Sequence, residues 1–210
     1  MSNGFLALKR IIETIFDIFT LSPKEAREKY DEFPNFAEQI AKLFQEDRLF
    51  EIPERLNLQL EIVKSFSPKV RPALDPYTSL QIGVFNKNFS DWEIGRFLNY
   101  PECCIRSFIE EIRYGFDERH LNELKTLSRD CIFITTAGFI PHSIFCEKSI
   151  ETGLASIIKY NELLLLEELE EELAKALPHS HPEYWHHYYD VLKFDTSHII
   201  FGRSSKDSII

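Results

Sequence analysis

Asn99-Tyr-Pro-Glu-Cys-Cys-Ile-Arg-Ser-Phe108 divides the central part of this chain into two helices and sets the pattern for the rest. Pro101 suits a first helical position, where a missing N–H costs nothing, and a proline pushes the residue before it out of the helical region. One helix therefore opens at the capping box Ser90-Asp-Trp-Glu93 and stops at Tyr100, and a second runs from the proline to about Tyr114, with Gly115 as its stop. Cys103 and Cys104 then fall in the first turn of the second helix. Unpaired N–H groups and the positive end of the helix dipole lower a thiol pKa there, so both are candidate metal ligands or nucleophiles. Adjacent Cα atoms stand about 3.8 Å apart, below the roughly 4.4 Å minimum of disulfides, which argues against a bond between them.

A matching half-site follows some forty residues on, in Ile140-Pro-His-Ser-Ile-Phe-Cys-Glu-Lys-Ser149, where His142 and Cys146 are four apart ahead of a long helix predicted over about Ser143 to Ala176. Neutral imidazole and thiolate are natural zinc ligands. Cys103, Cys104, His142 and Cys146 together make a Cys3His set, with zinc as the expected ion and iron or an iron–sulfur cluster ranked below it. The long gap between the halves is unlike a zinc finger, so the site would join two helix starts. Two readings compete with it. One is a thiol enzyme with Cys103 or Cys104 as nucleophile and His142 as base. The other is a helical interaction scaffold that uses the acidic run Glu167–Glu172. No phosphate-binding glycine loop, dinucleotide fingerprint or hydrolase elbow occurs. Cys131 reads as buried in the apolar strand Cys131-Ile-Phe-Ile-Thr135, His120 as a surface residue, and His179, His181, His186 and His187 as a solvated aromatic-rich surface rather than a second metal site.

Outward from this centre, Phe5, Leu8, Ile12, Ile15 and Phe19 recur at helical spacing, Ser22-Pro23 opens a second helix through Tyr30, and Phe36, Ile40, Leu43 and Phe44 mark a third over about Asn35 to Leu49. Leu58, Leu60 and Ile62 alternate with Gln59 and Glu61, a strand pattern, and Ser79 to Phe85 reads as a second short strand ended by Asn86-Lys-Asn88. An aromatic helix is predicted around Tyr184 to Lys193. The fold expected is mainly α with a small β component, an α+β single domain over 1–195 comprising a helical N-terminal lobe over 1–50 and the Cys/His region over 75–177, with a flexible tail over 196–210.

The chain has 210 residues, of which 44% are hydrophobic and 18 are Phe, so a core can form without disulfides. Four cysteines in such a chain suit a reducing compartment, and the cytoplasm is the expected location. A net charge of −10 without a basic run argues against a nucleic-acid partner, and no uncharged apolar stretch is long enough for a membrane span. No protein or small-molecule partner can be read from the sequence.

Asn99-Tyr100-Pro101-Glu102-Cys103-Cys104, with Phe108 four residues on, and Pro141-His142-Ser143-Ile144-Phe145-Cys146, followed by Ser149, resemble the two motifs of a family of archaeal proteins, domain of unknown function 483. Its members carry Gly-Tyr-Pro-x-Cys-Cys and Pro-Cys-Ser-x-x-Cys. Asn99 stands where the family has Gly, and His142 where it has Cys. His is a coherent substitute in a zinc site, whereas it breaks a two-cysteine redox motif. The resemblance covers residues 75–165 and implies that the cysteines matter, without an activity to carry over.

Overall fold

The computed structural model describes residues 13, 51–82, 89–178, 187–195 and 198–203. The helices expected over 1–50 and the Asn86–Asn88 turn lie outside them. From the N-terminal side come α1 (Glu51–Phe66), α2 (Pro76–Ile82), α3 (Asp91–Phe97), α4 (Glu102–Glu110) and α5 (Glu118–Leu124), then β1 (Cys131–Thr136), α6 (Glu147–Glu151), β2 (Ala155–Lys159), α7 (Tyr160–Ala176), β3 (Tyr189–Asp195) and β4 (His198–Arg203). The strands form one antiparallel sheet in the order β2-β1-β3-β4. Helices and a small sheet make this an α+β fold.

β1 lies inside the sheet, and its side chains feed two cores. Ile132 and Ile134 join Val191 and the Leu163, Leu166, Leu169 and Leu173 stripe of α7, with Ile62 and Phe66 of α1 packed alongside. Phe133, one residue out of phase, faces the other way among Leu124, Phe139, Ile144, Leu192, Cys104 and Cys146. A strand buried on both faces reads as a continuous apolar run, which is why Cys131–Thr135 was legible as one. The sheet is thus a partition: α7 and α1 cover one face, and the cysteine-bearing segments cover the other.

Several expected elements are corrected. The alternation at Leu58, Leu60 and Ile62 lies within α1, whose inward residues are Ile52, Leu56 and Gln59, and Leu58 is exposed. The predicted strand from Ser79 is α2 over its described part: Asp75 Oδ2 accepts from the N–H and hydroxyl of Thr78, and Pro76 takes the first helical position. The long helix over Ser143 to Ala176 is broken, because Gly153 at φ +67 ends the short α6 turn and the chain continues as β2 before α7 begins. The cysteine helix stops at Glu110, short of Gly115, with Ile112 at φ +54 in the exit. The predicted aromatic helix is β3 from Tyr189, and β4 over His198–Arg203 lies within the stretch 196–210. The acidic run on α7 is not wholly solvated either, since Glu170 is buried and accepts the N–H groups of Tyr188 and Tyr189, tying α7 to the start of β3.

Candidate metal centre

Each half of the site is delivered by a short helix start. α3 opens on the Ser90 capping box, with both reciprocal bonds made. It closes with the Asn99 N–H on the Arg96 carbonyl and the Tyr100 N–H on the Gly95 carbonyl, at 3.0 and 2.8 Å. That pair of bonds is the Schellman pattern, which needs a left-handed residue at the position of Asn99, and Asn99 has φ +57. The departure Gly to Asn therefore falls where asparagine is the best non-glycine choice. Pro101 caps α4, so its carbonyl accepts from the Cys104 and Ile105 N–H groups. An added Cβ on Gly95 would stand 2.7 Å from Ile105 Cγ1, so glycine permits the close approach of α3 to α4.

The second half leaves β1 through a turn in which Gly138, at φ +78, donates its N–H to Asp190 Oδ2 at 2.8 Å. Ser143 accepts from the Phe145 N–H through its hydroxyl and from the Cys146 N–H through its carbonyl, at 3.1 Å each. This turn sets Cys146 at the N-cap of α6, not four residues into a helix with His142.

The structure brings Cys103, Cys104, His142 and Cys146 together, with all four potential ligand atoms within 4.8 Å of one another. Cys103 Sγ stands 4.0 Å from Cys104 Sγ and 3.9 Å from Cys146 Sγ, Cys104 Sγ is 3.7 Å from Cys146 Sγ, and His142 Nδ1 is 3.5 Å from Cys104 Sγ. Zn–S bonds of about 2.3 Å and a Zn–N bond of about 2.0 Å at tetrahedral angles require about 3.8 Å between sulfurs and about 3.5 Å from sulfur to nitrogen. The cluster has the dimensions to hold one metal ion. Cys104 and Cys146 are buried, and Cys103 and His142 are half-buried. Ser149, fully buried, adds a hydroxyl 3.4 Å from Cys104 Sγ.

Burial reverses the expected thiol acidity. Loss of solvent, with Cys146 alongside, pushes the Cys103 thiol up, and desolvation pushes Cys104 up to about 12 against the help of Ser149 and the backbone. His142 is lowered by desolvation first and then by the Arg113 charge, which keeps the imidazole neutral. At neutral pH these shifts leave Cys103 and Cys104 as neutral thiols beside a neutral His142 ring. An entering cation displaces thiol protons.

A buried polar network anchors the His142 segment. Arg113 donates to the His142 carbonyl at 2.7 Å and makes a two-point ion pair with Asp117, holding that carboxyl well below the usual range. His120 donates from Nε2 to the Pro141 carbonyl at 2.7 Å, and its Nδ1 accepts the Asp117 N–H in a capping box at the start of α5. The Ile144 N–H is bonded to Glu123 at 2.8 Å. His120 is thus fully buried, correcting its surface assignment. Asp117-x-x-His120, a helix cap with an acceptor three residues on, is the sequence signal for it. Ser149 and Arg113 carried no such signal. Cys131 lies apart, only half-buried on β1 opposite Lys159, so the expectation of full burial is corrected too. Of the C-terminal histidines, His187 is described and lies 3.4 Å from Asp190; His179, His181 and His186 are outside the described residues.

Residues 56–174, from α1 through most of α7, match the family model described as "Protein of unknown function (DUF483)". A Methanocaldococcus jannaschii protein described as uncharacterized is 38% identical over 146 residues, covering 67% of this chain and 76% of its own length. Another, from Methanothermobacter thermautotrophicus, is 44% identical over 137 residues, covering 64% of this chain and 75% of its own length. No solved structure matches the chain. The chain belongs to the DUF483 family, and the matched span contains all four residues of the cluster.

Proposed function

We propose that this DUF483 protein binds a single zinc ion through Cys103, Cys104, His142 and Cys146, and that the ion is structural, pinning the start of α4 to the start of α6. The observation that carries this is that the three sulfur–sulfur separations, 3.7 to 4.0 Å, and the Cys104–His142 separation, 3.5 Å, match four of the six edges of one tetrahedron, with all four ligand atoms within 4.8 Å of one another. Four protein ligands close the coordination shell, the mark of structural rather than catalytic zinc. An iron–sulfur cluster gives each thiolate its own iron and would hold the sulfurs further apart. The thiol-enzyme alternative requires an acidified cysteine, whereas burial acts on Cys103 and Cys104 in the opposite direction. The negative net charge remains the basis for proposing that no nucleic acid is bound. Among the described residues no helix is long and apolar enough to cross a membrane.

Protein purified reduced and without chelator is expected to carry about one zinc per chain. Cys103, Cys104 and Cys146 should resist iodoacetamide until a chelator is added. Cys146→Ser should release the metal and lower the melting temperature, because the binding energy of a structural ion is folding energy. Metal-free protein with one rapidly alkylated thiol, slowed by His142→Ala, would replace this proposal with the thiol enzyme.

A further inference from the structure

Between α3, α4 and the Gly138–Ile140 turn lies a pocket of about 150 Å³ that Cys104 helps to line. Its walls include Ile94, Ile105, Phe108, Phe139 and Ile140, and Leu98, Tyr100 and Cys104 form part of its lining. Two glycines are part of its lining. Gly95 lines it with backbone alone, and Gly138 is exposed at its edge with no atom within 4 Å of where a side chain would begin. A cavity of this volume with aliphatic and aromatic walls takes a benzene-sized group. The lining has one carboxylate, Asp91, which is exposed at the start of α3 and so belongs to the mouth.

We infer that this pocket is a binding site for a small apolar amine, its hydrocarbon body between Ile94 and Ile140 and its ammonium group against Asp91. The apolar walls select an uncharged body. Asp91, on a chain of net charge −10, selects a cationic over an anionic end. Cys104 is shared with the proposed metal centre, since it lines the pocket and its sulfur stands 3.5 Å from His142 Nδ1 and 3.7 Å from Cys146 Sγ.

Benzylamine, benzyl alcohol and benzoate, matched in size and differing in the charge they place at the mouth, test this by saturation-transfer NMR on the full-length protein as purified. Benzylamine is expected to bind with a dissociation constant of about 1 mM or tighter, the alcohol about fivefold more weakly, and benzoate most weakly. Asp91→Asn should bring the amine and the alcohol level. Ile94→Trp and Ile140→Trp, filling the pocket from opposite walls, should each abolish saturation; a melting curve identifies a variant that has failed to fold, and the other then decides. No saturation by any probe at about 10 mM, binding that survives in a folded tryptophan variant, or equal binding of benzoate overturns the inference. Metal-free protein that still binds benzylamine would remove the zinc proposal and leave this one standing.

Discussion

Asn99 shows how much can rest on one backbone angle. At φ +57 it sits in the left-handed region, which costs an ordinary residue about 1–2 kcal/mol, and which glycine enters freely. Asn99→Gly should leave stability unchanged or raise it by less than about 1 kcal/mol, while Asn99→Val should lower it by about 1–2 kcal/mol in urea denaturation. Similar losses in both would remove the conformational account. The residues that could be found from sequence are those with few bland explanations: thiols and an imidazole at helix starts. His120 was assigned to the surface because its local signal, the Asp117-x-x-His120 cap, marks a helix start without saying that the ring is buried against the Pro141 carbonyl. The thiol acidity was misjudged because the helix end is local, whereas the core that desolvates Cys104 also draws on Phe133, Phe139, Ile144 and Leu154, which lie far along the chain.

At the scale of elements, α3 and α4 are held together by the contact of Gly95 with Ile105. A methyl group on Gly95 would meet Ile105 Cγ1 and Cδ1 at 2.7 and 2.9 Å, so Gly95→Ala should cost about 1–3 kcal/mol. In the Ile105→Ala background the same change should cost much less, and the coupling is read from a double-mutant cycle in urea. Additive losses would show that the helices shift freely. Elements bounded by chemistry were legible: the Ser90 box, the proline before the cysteines and the doubly buried β1 all follow from sequence. Elements decided by pairing were not. Ala155–Lys159 is a strand because β1 lies beside it, and Tyr189–Asp195 because it is paired on both sides, contacts between residues distant in sequence. Leu58 and Leu60 misled in the other direction, since apolar residues on the outer side of α1 imitate alternation.

Across the whole molecule, the buried Glu170 joins the two layers on the far side of the sheet from the cysteines. Desolvation, only partly offset by the Tyr188 and Tyr189 N–H groups, raises its carboxyl from 4.5 to about 7. The native state therefore holds a proton that the unfolded chain has lost between those values, so stability falls as pH rises from about 4.5 to 7. The fall is on the order of 3 kcal/mol for such a shift. Glu170→Gln keeps an acceptor oxygen for both N–H groups but cannot ionise, and its stability should lack that fall when urea midpoints are compared across the range. Parallel profiles for the two proteins would show that Glu170 titrates normally. The two halves of the Cys/His cluster have a different consequence, in time rather than in energy. Cys104 and Cys146 are 42 positions apart, with β1 made between them. A ribosome adding about 5–20 residues per second delivers the paired thiols roughly 2–8 s before the last ligand exists. Under the proposed zinc function, the nascent chain carries two vicinal cysteines before Cys146 exists, so oxidation or capture of the wrong ion is a hazard of synthesis before it is one of the finished protein.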